Sequence, residues 1–120
     1  MARILLADDD AATRDLVKRG LAMDGHAVTS TQDGTEALDA VTATPAGFDL
    51  LISDVQMPGL DGIGLAERAL DAAPGLRIIL MSGFADELDR AGHLKGKLAK
   101  VIVKPFTLDE IRTAVKAVLG

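Results

Sequence analysis

Apolar residues along this chain fall into two alternating patterns. Short apolar stretches at 3–7, 27–30, 48–54, 77–81 and 100–103 read as strands. Between and after them, apolar residues recur at helical spacing: Leu16, Val17 and Leu21; Ala37, Leu38 and Val41; Leu65, Ala66, Ala69 and Leu70; and finally Leu108, Ile111, Val115 and Val118. Punctuation agrees with the pattern. Asp8-Asp9-Asp10 supplies a cap for the first helix and Gly25 closes it, while Asp33-Gly34 turns the chain into a helix over 35–42 that Thr44-Pro45-Ala46-Gly47 breaks. Asp61-Gly62 opens the third helix and Pro74-Gly75 ends it, and Thr107 with Glu110 forms a capping box before the last. The weakest segment follows Ser82-Gly83-Phe84-Ala85. A helix there can run only over about 85–91, because Gly92 and Gly96 each cost roughly 1 kcal/mol in a helix interior.

Strand and helix in strict alternation predict an α/β fold, a five-stranded parallel sheet with helices on both faces. The central stretch, Phe48-Asp49-Leu50-Leu51-Ile52-Ser53-Asp54, has no polar face to show water and so belongs inside the sheet. Asp54 then stands at a carboxyl end, where open α/β sheets bind ligands.

Composition narrows the function. A chain of 120 residues, 48% hydrophobic with mean hydropathy +0.24, fits one domain without a linker over 1–120. It has no cysteine, and the apolar stretch after Met1-Ala2-Arg3 is too short for a signal peptide or a membrane span, so a cytoplasmic protein is expected. A net charge of -5 and only three aromatic residues, Phe48, Phe84 and Phe106, argue against nucleic acid as a partner.

Candidate chemistry collects at the strand ends. Asp8 and Asp9 follow the first strand, Asp54 the third, Ser82 the fourth and Lys104 the fifth, so all emerge at one edge of a parallel sheet. Two carboxylates about 5 Å apart repel by roughly 3 kcal/mol at an effective dielectric near 20, so three of them call for a cation beyond Lys104. An all-oxygen set suits magnesium, which accepts one or two carboxylates together with a phosphate oxygen. Singly, each residue has a plainer explanation: a capping aspartate, a turn hydroxyl, a solvated lysine. Four strand ends carrying this set together are harder to explain so. His26 and His93 lack ligand-like spacing and are expected to be solvated. Gly59-Leu60-Asp61-Gly62-Ile63-Gly64 lacks the Lys-Ser/Thr pair of a phosphate-binding loop and reads as a turn.

These motifs resemble the receiver domains of bacterial two-component response regulators. The likeness runs through Ile4-Leu5-Leu6-Ala7-Asp8-Asp9-Asp10, Asp54-Val55-Gln56-Met57-Pro58-Gly59-Leu60-Asp61-Gly62, Met81-Ser82-Gly83 and Val103-Lys104-Pro105-Phe106. It implies a flavodoxin-like strand order 2-1-3-4-5 and Asp54 as acceptor of a phosphoryl group from a histidine kinase or histidine phosphotransfer protein. It further implies Mg2+ held by Asp9 directly, by Asp8 largely through water, by Asp54 and by the backbone carbonyl of Gln56. Ser82 and Lys104 would contact the phosphoryl oxygens, and the Lys104–Pro105 bond would be cis.

Such a domain signals and is not an enzyme beyond self-phosphorylation and self-dephosphorylation, and no output domain is expected. Within the family, Ser82-Gly83-Phe84-Ala85 and Val101 are similar to single-domain receivers of the CpdR type, which act as adaptors for the protease ClpXP. Most receivers carry Tyr or Phe where Val101 stands, so Phe84, with the short helix after it, is the expected switch element at a partner face completed by the fifth strand and the last helix. Two alternatives fit less well. A magnesium-dependent phosphatase of the haloacid-dehalogenase type wants a second acid where Gln56 stands, and a flavodoxin-like flavin binder wants phosphate donors where this chain has three carboxylates.

Overall fold

The expected alternation is what a computed structural model of the chain shows, and it describes residues 2–83, 90, 92–94 and 96–120. Among them are five strands, β1 (Arg3–Ala7), β2 (Ala27–Thr31), β3 (Leu50–Asp54), β4 (Arg77–Ser82) and β5 (Lys100–Val103). Four α-helices accompany them: α1 (Ala11–Met23), α2 (Gly34–Ala43), α3 (Gly62–Ala72) and α4 (Leu108–Leu119). All strand pairings are parallel and the order is β2-β1-β3-β4-β5. The helix anticipated over 85–91 lies outside the described residues except for Arg90; a single 3-10 turn spans Gly92–Leu94.

Because side chains alternate along a strand, the apolar strands feed two cores. Leu5, Ala7, Leu51, Ile78 and Leu80 pack on one face against Ala37, Val41, Leu65, Ala66 and Ala69 of α2 and α3. Ile4, Leu6, Leu50, Ile52, Ile79, Met81 and Ile102 pack on the other against Val17, Leu21, Ile111, Ala114 and Val115 of α1 and α4. Every residue of β3 is buried, Ser53 and Asp54 included, as expected of a central strand covered on both faces. One helix-face assignment is corrected: Leu16 is 46% exposed, because Val17 and Leu21 already face the sheet and Leu16 lies a turn-fraction away from them.

Helix starts follow the cap chemistry read from the chain. Asp10, Asp33 and Asp61 each accept a backbone N–H from three residues on, and Thr107 and Glu110 complete the reciprocal box at α4. At the start of α3 the packing is tight. Gly62 donates its N–H to the Val55 carbonyl at 2.8 Å, and a Cβ added to it would stand 2.2 Å from the Asp54 carbonyl oxygen. Only glycine lets the helix begin directly against the end of β3. Gly62→Ala is therefore expected to lower unfolding free energy by about 1–3 kcal/mol in urea denaturation. Gly75→Ala, where the added methyl meets nothing within 4 Å, is the control and should change it little.

Candidate functional site

The three aspartates after β1 do three different things. Asp10 leaves the sheet edge to cap α1, its carboxylate accepting from the Thr13 N–H at 3.2 Å and the Thr13 hydroxyl at 2.5 Å. Asp9 is exposed. Asp8 is fully buried; its Oδ1 accepts from the Asp10 N–H at 2.9 Å, and its Oδ2 is the one buried side-chain polar atom among the described residues with no hydrogen-bond partner. Asp54, ending β3, is 7% exposed. Asp8, Asp9 and Asp54 each present a carboxylate oxygen within 4.8 Å of the others.

Lys104 reaches this cluster from just beyond β5. Its Nζ donates to Asp54 Oδ2 at 2.8 Å and stands 3.8 Å from Asp8 Oδ2. The Lys104 backbone N–H also donates to the Ser82 carbonyl at 2.7 Å, and the Lys104–Pro105 peptide bond is cis. Ser82 is fully buried at the end of β4, whose register sets Met81 beside Asp54. Gln56 is exposed and lines, with Asp9, Asp54, Val55 and Pro58, an open cavity of about 490 Å³. The five strand-end groups thus come to one edge, as the spacing implied, and Gln56, singled out only by the family resemblance, lines the cavity beside them. Val101 is half-buried on β5, paired with Leu80 and lining a separate groove against α4. Phe84 lies outside the described residues.

Electrostatics explain the cost of this arrangement. Burial pushes the Asp8 carboxyl above its ordinary value, against the pull of the Asp10 N–H and Lys104, with Asp54 and Asp9 adding repulsion. Burial also works against the Lys104 ammonium, but the hydrogen bond to Asp54 and the charges of Asp8 and Asp54 more than compensate and hold it above the ordinary lysine value. One ammonium faces three carboxylates. An unpartnered buried oxygen, two neighbouring carboxylates and an all-oxygen surround fit a small hard cation.

Three neighbours of the site were not legible in the sequence. Arg14 donates to the Asp8 carbonyl at 2.8 Å and holds the turn after β1. Asp61, read only as a helix start, and Arg90 also line the cavity and pair at 2.6 Å. Arg90 follows Asp61 by 29 positions, so no local pattern could have joined them. His93 is exposed, as expected, and His26 is half-buried. His26 Nδ1 accepts the Ala2 N–H at 3.1 Å, and His93, though exposed, lies with its Nε2 2.5 Å from Glu67 Oε1.

Comparison with known proteins bears on this geometry. Residues 4–116 match the response regulator receiver domain family. The chain belongs to that family. It is 36% identical over 119 residues to the response regulator receiver protein CpdR of Brucella abortus, covering 99% of this chain and 98% of that one. It is 32% identical over 117 residues to the response regulator MprA of Mycolicibacterium vanbaalenii, covering 98% of this chain but only 50% of that regulator. The response regulator TrrA of Thermotoga maritima, solved in complex with Mg(2+)-BeF, superimposes with a TM-score of 0.83 at 30% identity, over 98% of this chain and 99% of that one. Among the described residues, no helix of this receiver domain is long and apolar enough to cross a membrane.

The buried Asp8 gives a pH dependence with a definite sign. A carboxyl raised by folding contributes stability that is fully present below its unfolded value of 3.8 and is lost as pH rises through the higher folded value. At neutral pH without divalent cations, Asp8 is thus a net cost. Asp8→Asn should raise the Tm in chelator at pH 7 by about 3–6 °C, on the order of 1 kcal/mol. The gain should fade as the pH is lowered to about 3.5, followed by circular dichroism.

Proposed function

We propose that the chain is a phosphorylation-controlled signalling domain of the cytoplasm that accepts a phosphoryl group on Asp54 from a histidine kinase or histidine phosphotransfer protein. The observation that carries this reading is the meeting of Asp8, Asp9 and Asp54 within 4.8 Å, with the Lys104 ammonium seated on Asp54. In the transfer, an Asp54 carboxylate oxygen attacks phosphorus, the P–N bond to the donor histidine breaks, and its electron pair stays on the imidazole. With Oδ2 held by Lys104, the other carboxylate oxygen carries the attack. Lys104 then remains beside the acyl phosphate to neutralise phosphoryl oxygen charge, joined by the Ser82 hydroxyl at the end of β4.

Asp9, Asp54 and the Gln56 backbone carbonyl would hold Mg2+ directly, and Asp8, set deeper, would hold it largely through water. Bound there, the ion supplies charge neutralisation for the transferring phosphoryl group. The Mg(2+)-BeF complex of the similar TrrA supports this choice of cation. Asp54→Asn should abolish labelling by acetyl phosphate without loss of fold, and a chelator should do the same to the unaltered protein. Asp9→Ala should weaken magnesium binding more than Asp8→Ala in calorimetry. Undiminished labelling of Asp54→Asn would overturn the assignment.

The output is a protein contact, and the likeness to CpdR along nearly its whole length supports an adaptor role toward ClpXP. The acyl phosphate can bias a two-state surface only by interacting differently with its two states, and Ser82, whose carbonyl accepts the Lys104 N–H just beyond β5, would transmit that difference. The switch surface would include Phe84 and the β5 groove at Val101. ClpX should co-precipitate to different extents with the unphosphorylated and the acetyl-phosphate-treated protein, and Asp54→Asn should bind as the unphosphorylated form does. Equal or absent capture in every state would remove the adaptor reading.

A further inference from the structure

The cavity beside Asp54 carries more charge than the acceptor site uses. Asp9, Asp54, Asp61 and Arg90 line it, with Asp8 and Lys104 behind Asp54. Four carboxylates against two cations leave two negative charges in excess, the amount one divalent ion cancels. Without Arg90 the loaded pocket would remain negative. Asp54, Asp61 and Arg90 line the same open cavity, and charges exposed at it are screened over about 10 Å at 0.1 M salt, so the charge at Asp61 and Arg90 bears on Asp54 most strongly at low ionic strength.

Asp61 divides its carboxylate between two tasks. Oδ1 accepts the Gly64 N–H at 2.8 Å and caps α3, while Oδ2 takes the Arg90 guanidinium at 2.6 Å. Arg90 is 58% exposed, so the pair adds little to stability. Its effect lies in where it puts charge. Nearby, His93 Nε2 lies 2.5 Å from Oε1 of Glu67 on α3.

We propose that Arg90 is a positioning residue of the phosphorylation pocket that cancels the charge of Asp61 at its mouth, so that a dianionic phosphoryl donor can approach Asp54 once the divalent cation is bound. This rests on Asp54 as the acceptor. Removing Arg90 exposes Asp61, which draws cations in and turns anionic donors away.

Two measurements test it, one of them independent of phosphorylation. In calorimetry at low ionic strength, Arg90→Ala should bind magnesium roughly three- to tenfold more tightly than the unaltered protein. At saturating magnesium, its labelling by acetyl phosphate should slow by a similar factor, and both differences should shrink in about 0.5 M salt. Arg90→Lys, which keeps the charge, should restore both. So should the double variant Arg90→Ala/Asp61→Asn, since asparagine still caps α3. Circular dichroism melting checks that each variant folds. Magnesium affinity and labelling rate both unchanged in Arg90→Ala would overturn the proposal, as would a double variant that stays as slow as the single one. If Arg90→Ala tightens magnesium binding but no variant, nor the unaltered protein, is labelled, the acceptor assignment fails while the charge role of Arg90 stands.

Discussion

A carboxylate with no access to water, one of its oxygens unpartnered, is the constraint on which this site depends. Asp8 occupies that position because β1 is sandwiched between β2 and β3 and delivers its last residues into the sheet edge. Such a group persists only if something else compensates, and here the compensation comes from two directions. Lys104 arrives from β5, at the opposite side of the sheet order, to sit between Asp54 and Asp8. The remaining negative charge favours a divalent ion. Stability and cation binding would thereby be coupled, since the charge concentration that strains the bare fold is the one that would bind the ion.

The scaffold around this charge is stiff where the carboxylates stand. β1 and β3 are buried on both faces, Arg14 ties down the turn after β1, and Gly62 locks the start of α3 onto the backbone of Asp54 and Val55. A carboxylate held this way needs no ordering before a reaction partner approaches, and positioning of that kind lowers a barrier. β5 is different in kind. It is an edge strand of four residues with Val101 half-buried and Val103 55% exposed, so the end of the sheet that carries Lys104 is less enclosed than β1 and β3. Lys104 is therefore borne just beyond a strand less enclosed than those that carry the carboxylates.

The same domain serves proteins of different extent. It spans nearly all of one relative, CpdR, and half of another, MprA. A pocket assembled from strand ends can do so because it is built within the one domain, at the sheet edge.

Much of this was written in the chain itself. Apolar runs of strand length, aspartates and a threonine at helix starts, and the apolar Leu50-Leu51-Ile52 of β3 determined the alternating α/β architecture, because each of those signals acts over a few neighbouring residues. The placement of Asp8, Asp9, Asp54, Ser82 and Lys104 followed as well, since parallel strands necessarily end at one edge. What only the tertiary structure decided was the division of labour within that set and the company it keeps. Asp8, Asp9 and Asp10 are adjacent and chemically alike, yet burial, exposure and a helix cap separate them, and none of these is a property of sequence. Leu16 faces solvent although its spacing admitted the core, because the direction of α1 across the sheet selects Val17 and Leu21. The Arg90–Asp61 pair joins residues far apart in the chain, and ion pairs of that kind arise from the packing of whole elements and leave no periodic trace for a sequence to show.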